Sequence, residues 1–205
     1  NRDARNCKNP PVKGTESFEI QYLNVIRAAL EIADIEAVPE IKLDHLRRLT
    51  DDFGMLHHAR YSKPVRRFGY SLDDNARALV DTAGFFELKP HRQYLVDLMC
   101  RYLMFMKFSK ARNCTFTLIF TARKERDSVF DEDVLGRGVW ALGYFLSREN
   151  PPDELKEVAR KLFDKAVENL DKLESPRAIA FAMTGLYHYL KRFPQKKFLV
   201  LMRRL

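Results

Sequence analysis

Residues 69–80 read GYSLDDNARALV. Adjacent carboxylates, Asp73 and Asp74, precede Arg77 and an apolar run. The pattern predicts a helix start. Ser71-x-x-Asp74 resembles a capping box, in which a hydroxyl and an acidic side chain satisfy backbone N–H groups that a first turn leaves unpaired. Acids in that turn also face the positive end of the helix dipole, worth about 0.3–1 kcal/mol each. The apolar spacing carries the helix to Phe86, and Pro90 stops it.

The order acid, Arg, small, aliphatic recurs twice. DVLGRGV (133–139) places Arg137 four residues after Asp133, and ESPRAIA (174–180) places Arg177 three after Glu174. The helical stretches between, about 91–108 and 153–171, lack it. A signal on alternate helices predicts α-hairpins with one helix of each pair facing inward. The three inward helices should then run parallel, with their first turns at one end. Small residues after each Arg would let those turns approach, and each Arg would lie beside an acid of its own helix at i,i+4. Asp74 is expected to be partly buried against Arg77 or Arg137, with Asp73 nearer the cap.

The rest of the chain agrees with an all-α class. Residues 1–16 are polar and aperiodic, and read as a flexible arm ahead of a single domain over 17–205. Apolar residues from Phe18 to Ala33 recur at three- and four-residue steps, giving a helix; a second follows at about 40–49. The stretch 50–72 reads as loop, punctuated by Gly54, Pro64 and Gly69. Helices are expected at 132–147, 153–171 and 176–192, with prolines at two of the starts. TFTLIFT (115–121) alternates β-branched and aromatic residues, as one short strand or hairpin arm does.

Composition narrows the function classes. At 205 residues and 46% hydrophobic, the chain can bury one sizeable core. No apolar stretch approaches the ~18–20 residues a bilayer span needs, so no membrane association is expected. The first residues carry no apolar leader segment, and three widely spaced cysteines (Cys7, Cys100, Cys114) suit reduced thiols, which places the protein in the cytoplasm. The net charge is +8, but the basic residues are dispersed, so nucleic acid is not the expected partner. His57 and His58 have no acid or Cys one turn on, and no Gly-rich phosphate loop is present; neither metal nor cofactor is expected.

The stretch TDDFGMLHHARYSKPVRRFGYSLDDNARAL (50–79) resembles a family of prokaryotic carbohydrate-associated proteins with an α/α-toroid domain, often linked to glycosyltransferases. That family carries TDDTG…QHA…YSVP…GYCTDDNARAL. Further on, DEDVLGRGVWALG is similar to its SEDSHGRALWALG, and SPRAIAF to its SPRAWAF. The resemblance implies an all-helical toroid like that of the six-hairpin glycosidases, with an acid-lined cleft where the inner helices begin. It also implies a glycan ligand and a glycosyltransferase partner. The matching residues are Asp51, Asp52, Tyr70, Asp73, Asp74, Asn75, Arg77, Glu132, Asp133, Arg137, Trp140, Ser175, Pro176 and Arg177. Departures fall at Phe53, Val134, Leu135 and Ile179, each making the expected rim more apolar. The sequence supplies fewer helices than a six-hairpin ring needs, so either a truncated or an incomplete toroid is expected, and an incomplete ring should associate with copies of itself.

Glycoside hydrolysis uses two carboxyl groups, about 5–5.5 Å apart for retention and ~6.5–9.5 Å for inversion. Asp73 and Asp74 diverge by about 100° on a helix, so they do not form that pair together. The expected catalytic pair takes Asp73 or Asp74 with Glu132 or Asp133. Arg77 and Arg137 would hold the ionised member, and Asp51, Asp52, Tyr70, Asn75, Trp140 and Arg177 would bind substrate. The alternative is a glycan-binding or scaffold module without chemistry.

Overall fold

The computed structural model describes residues 41–90, 92–110, 116–126 and 131–205. The chain divides into Asn1–Lys42 and Leu43–Leu205, and every element named below belongs to the second unit. The arm at 1–16, the helix expected from Phe18, and Cys7 and Cys114 lie outside the described residues.

After the short helix α1 (Asp44–Leu49), β1 (Ala59–Arg60) pairs antiparallel with β2 (Lys63–Pro64), and a 3-10 turn spans Arg66–Phe68. The stretch expected as loop therefore holds a small hairpin. Next come β3 (Tyr70–Ser71), α2 (Leu72–Leu88) and α3 (Gln93–Ser109). They are followed by β4 (Ile119–Phe120), α4 (Glu132–Ser147) and α5 (Asp153–Ala166). A 3-10 segment over Val167–Lys172 finishes the helix expected to run to 171, tightening its last turns. α6 (Pro176–Arg192) and α7 (Lys196–Met202) end the order.

The strand expected near 115–121 finds its partner at the opening motif: β4 pairs with β3, Phe120 opposite Tyr70 and Ile119 opposite Ser71. Gly69 makes this possible. Its φ of +68° is in the left-handed region, and a Cβ there would strike the Phe120 carbonyl oxygen.

The helices form two layers. α4 packs between α2 and α6, while α3 backs α2, α5 backs α4, and α3 touches α5. α2, α4 and α6 run parallel, because like ends meet. Arg137 in the first turns of α4 reaches Asp73 in the first turn of α2, and Tyr144 near the end of α4 meets Gly84 near the end of α2. Glu132 accepts the Ser175 N–H at the start of α6, and Arg192 donates to the Ser147 carbonyl at the far end. The α4–α6 seam is closest where glycines remove the side chain. A Cβ on Gly143 would overlap the Gly185 carbonyl, and one on Gly185 the Val139 carbonyl.

Between the layers lies a core that includes Leu79, Met99, Tyr102, Phe145, Phe163, Leu186 and Tyr189. Phe53 joins it at the rim end, meeting Tyr70, Phe105, Phe108 and Phe120 edge to face. Val134 and Leu135 are fully buried and Ile179 packs against the core. These apolar departures were expected to line the rim, and they fill the interior instead. Val134 and Leu135 follow Asp133 by one and two residues, which turns them inward from the rim.

Candidate functional site

The first turns of α2, α4 and α6 form one charged rim. At α2, the Asp74 N–H donates to the Ser71 hydroxyl at 3.1 Å, and that hydroxyl donates to Asp74 Oδ2 at 2.8 Å. The same oxygen lies 2.7 Å from His57 Nδ1, and Asp74 Oδ1 lies 3.6 Å from Arg77. Asp74 is therefore the cap acid and, as expected, a partly buried neighbour of Arg77; the expectation that Asp73 would lie nearer the cap is not met. Counting from Ser71 as N-cap, Asp74 holds the third helical position, which is the one that reaches back to the cap.

Asp73, one residue earlier, turns toward α4. Its Oδ2 lies 3.3 Å from Arg77 Nη2 and 3.2 Å from Arg137 Nε. The Arg137 N–H is not aimed at that oxygen, so Nε is ion-paired yet buried without a hydrogen bond; Asp73 Oδ1 is also buried without one. Burial raises the Asp73 carboxyl above its ordinary range; Arg137 and Arg77 oppose this, and the negative charges of Asp74 and Asp131 add to it. The Arg137 guanidinium also lies over the Phe181 ring at 4.5 Å, and Trp140 stands 5.7 Å from Phe181.

The carboxylates of α4 face away from α2. Asp131 caps the helix, accepting the Asp133 N–H at 2.8 Å. Glu132 Oε2 accepts the N–H groups of Glu174 and Ser175, each at 2.7 Å. Asp133 pairs with Arg177 and accepts the Ser175 hydroxyl. These residues line an open depression of about 380 Å³. The facing pair expected across α2 and α4 is thus not what the side chains form: Glu132 and Asp133 anchor the start of α6.

Three expected binding residues are bound up in the fold itself. Asp51 Oδ1 accepts the Phe53 and Gly54 N–H groups, and Oδ2 accepts from Arg66 at 2.6 Å and Tyr70 at 2.7 Å. Burial alone would raise the Asp51 carboxyl, but the bonds from Tyr70, Phe53, Arg66 and Gly54 outweigh it and hold it below the ordinary range. Tyr70 is buried, and burial with the Asp51 bond pushes its hydroxyl up. Asn75 is fully buried, its amide accepting the Met55 N–H and donating to the Met55 and Ser71 carbonyls. It staples the loop at Met55 to α2. Asp52 is exposed beside Lys124, and Arg177 is exposed apart from its Asp133 contact.

His57, Asp131 and Phe181 also belong to the rim; for His57 the sequence raised only a metal-ligand role. Phe181 follows Arg177 by one helical turn, a legible spacing, whereas His57 reaches Asp74 only through the backbone pairing of its loop. Among the described residues, no three His, Cys, Asp or Glu side chains converge as metal ligands, and no helix is long and apolar enough to cross a membrane.

No family model and no curated protein sequence matches the chain. Its fold matches the solved structure of cellobiose 2-epimerase from Spirochaeta thermophila, with a TM-score of 0.65 and 13% identity over 92% of this chain. The described residues have the fold of part of an α/α toroid. The chain spans 54% of that structure's length. In the toroid arc α2, α4 and α6 make one row and α3 and α5 the row behind it, with the charged rim at the start of the first row.

Proposed function

We propose that the rim is a carbohydrate-binding site and that Asp73 makes its central contact. The observation that carries this is the pair of unsatisfied atoms, Asp73 Oδ1 and Arg137 Nε. A buried polar group without a partner costs about 1–3 kcal/mol. A sugar hydroxyl both donates and accepts, so it is a fitting partner for either atom. Trp140 and Phe181 supply apolar ring surface beside them, which suits the C–H faces of a sugar. The fold neighbour is named for cellobiose, which supports the same ligand class. A rim that holds glycan would also present it to the glycosyltransferase partner that the motifs imply.

A second reading, glycoside hydrolysis, is favoured by the raised Asp73 carboxyl, since a carboxylic acid that keeps its proton can protonate a leaving group. Its second carboxyl would be Asp131, close enough to act on Asp73 electrostatically and exposed at the helix cap. Glu132 and Asp133 are engaged by α6, and that weighs for binding over hydrolysis.

Calorimetric titration with cello-oligosaccharides tests the reading. Asp73→Asn should weaken binding roughly 10- to 100-fold, the loss of one charge-assisted hydrogen bond. An unchanged affinity would remove Asp73 from the site. Release of shorter sugars by the wild type, lost by at least ~10²-fold in Asp73→Asn, would establish the hydrolytic reading.

A further inference from the structure

The hairpin before the opening motif carries a surface that the rim does not use. Between Phe53 and Leu72 there is no acidic residue, while Arg60, Lys63, Arg66 and Arg67 are all basic. Arg66 is engaged by Asp51. Arg60, Lys63 and Arg67 are exposed and have no carboxylate partner among the described residues. α1 adds Arg48, whose guanidinium lies 3.4 Å from the Ser62 carbonyl.

Two rings stand among these charges. Tyr61 is 91% exposed at the hairpin tip, and its φ of 55° is a left-handed conformation that a turn would ordinarily give to glycine or asparagine. Phe68 is also exposed, with the Arg67 guanidinium over its ring and His58 beside it. A bulky aromatic held in a strained, solvated position is a poor choice for stability and a good one for contact with a ligand.

The segment that carries the hairpin is tied to β3 at one point and to the rim at another. Arg66 binds the Asp51 that also holds Tyr70, and His57 binds Asp74. A chain leaving the rim past Asp74 therefore runs onto the basic hairpin. We infer that this hairpin binds the acidic part of an anionic glycan, in which carboxylate-bearing sugars are interspersed with neutral ones. This rests on the carbohydrate reading of the rim and adds the substrate's charge. Neutral sugars suit the rim, where Asp73, Asp74, Asp131 and Glu132 would repel anions; acidic sugars suit Arg60, Lys63 and Arg67, with Tyr61 and Phe68 against ring faces. A nucleic acid, with a phosphate at every unit, would force anions onto the rim carboxylates.

The test compares three probes at several salt concentrations: a hyaluronan fragment, in which glucuronate alternates with neutral sugar, a neutral cello-oligosaccharide, and a single-stranded oligonucleotide. The hyaluronan fragment should bind most tightly and weaken steeply with salt. The triple variant Arg60→Ala, Lys63→Ala, Arg67→Ala should lose roughly tenfold in affinity for it, the summed effect of three exposed ion pairs, and flatten the salt dependence. Its melting temperature and its affinity for the cello-oligosaccharide should be unchanged, since these side chains lie outside the core. Tyr61→Gly should weaken hyaluronan binding while leaving the salt slope intact. Equal binding of both sugars, or no effect of the triple variant, overturns this inference and leaves the carbohydrate site standing. Tightest binding of the oligonucleotide also overturns it, and binding of neither sugar overturns the carbohydrate reading as well.

Discussion

Arg137 Nε on α4 lies 3.2 Å from Asp73 Oδ2 on α2, while Asp133, the acid one turn before Arg137 on its own helix, pairs with Arg177 of α6. The arginines of α4 and α6 thus reach back to the acid of the inner helix before them. The repeated spacing expected to make ion pairs within helices instead links neighbours, and it sets three helix starts side by side. Only Arg77 stays on its own helix, near Asp73 and Asp74.

That linkage predicts coupling. Arg137→Ala should destabilise the protein by about 1–3 kcal/mol, because it leaves a largely buried carboxylate with one partner fewer and uncovers Phe181. Asp73→Asn should be neutral or mildly stabilising near neutral pH. The double variant should be less destabilised than the two effects summed, as a denaturation cycle would measure.

Acid titration of stability should separate two aspartates of opposite sign. Asp51 has a depressed folded-state pKa, so its contribution is present above the ordinary carboxylate value and is lost as pH falls through the lowered one. Asp73 has a raised pKa, so stability falls as pH rises from the ordinary value through the raised one. Asp51→Asn should therefore remove stability near neutral pH and flatten the acid limb. Asp73→Asn should remove the opposite slope, read from urea midpoints across pH.

Glycine replacements should discriminate between backbone and side-chain contact. Gly143→Ala pushes a methyl into the Gly185 backbone and should cost about 1–3 kcal/mol. At Gly84 the added methyl meets only the Tyr144 hydroxyl at 2.9 Å, the far end of a side chain. Gly84→Ala should lie between neutral and about 1 kcal/mol stabilising, the gain in helix propensity. Equal effects in thermal melts would contradict the close α4–α6 seam.

Glu132 acts as a cap supplied by another helix. Glu132→Ala leaves the Glu174 and Ser175 N–H groups without their acceptor and should cost about 0.5–2 kcal/mol. Glu132→Gln keeps an oxygen in place and should recover part of it. Hydrogen exchange at the start of α6 reads the effect locally, with faster exchange in the alanine variant.

By itself, the sequence determined the helices α1 to α6 and their order; α7 was not expected, and the helix expected from Phe18 lies outside the described residues. The apolar spacing after Asp73, the capping hydroxyls Ser71 and Ser175 and Pro176 in a first turn are local signals, and local hydrogen bonds and dipoles act on them directly. The alternation of motif-bearing and plain helices also carried the two rows, since a parallel inner row needs close-packing residues only on its own members. The hairpin at 59–64 escaped because two-residue strands leave no periodicity, and its place depends on pairing to distant backbone. The partners of the charged groups were decided by tertiary structure. A carboxylate at the start of a helix can meet its own cap, its own Arg or the next helix, and sequence spacing leaves the three close in energy. Packing α4 within backbone contact of α6 and beside α2 selects among them: it gives Glu132 and Asp133 to α6, gives Arg137 to Asp73, and leaves Asp73 Oδ1 without a bond.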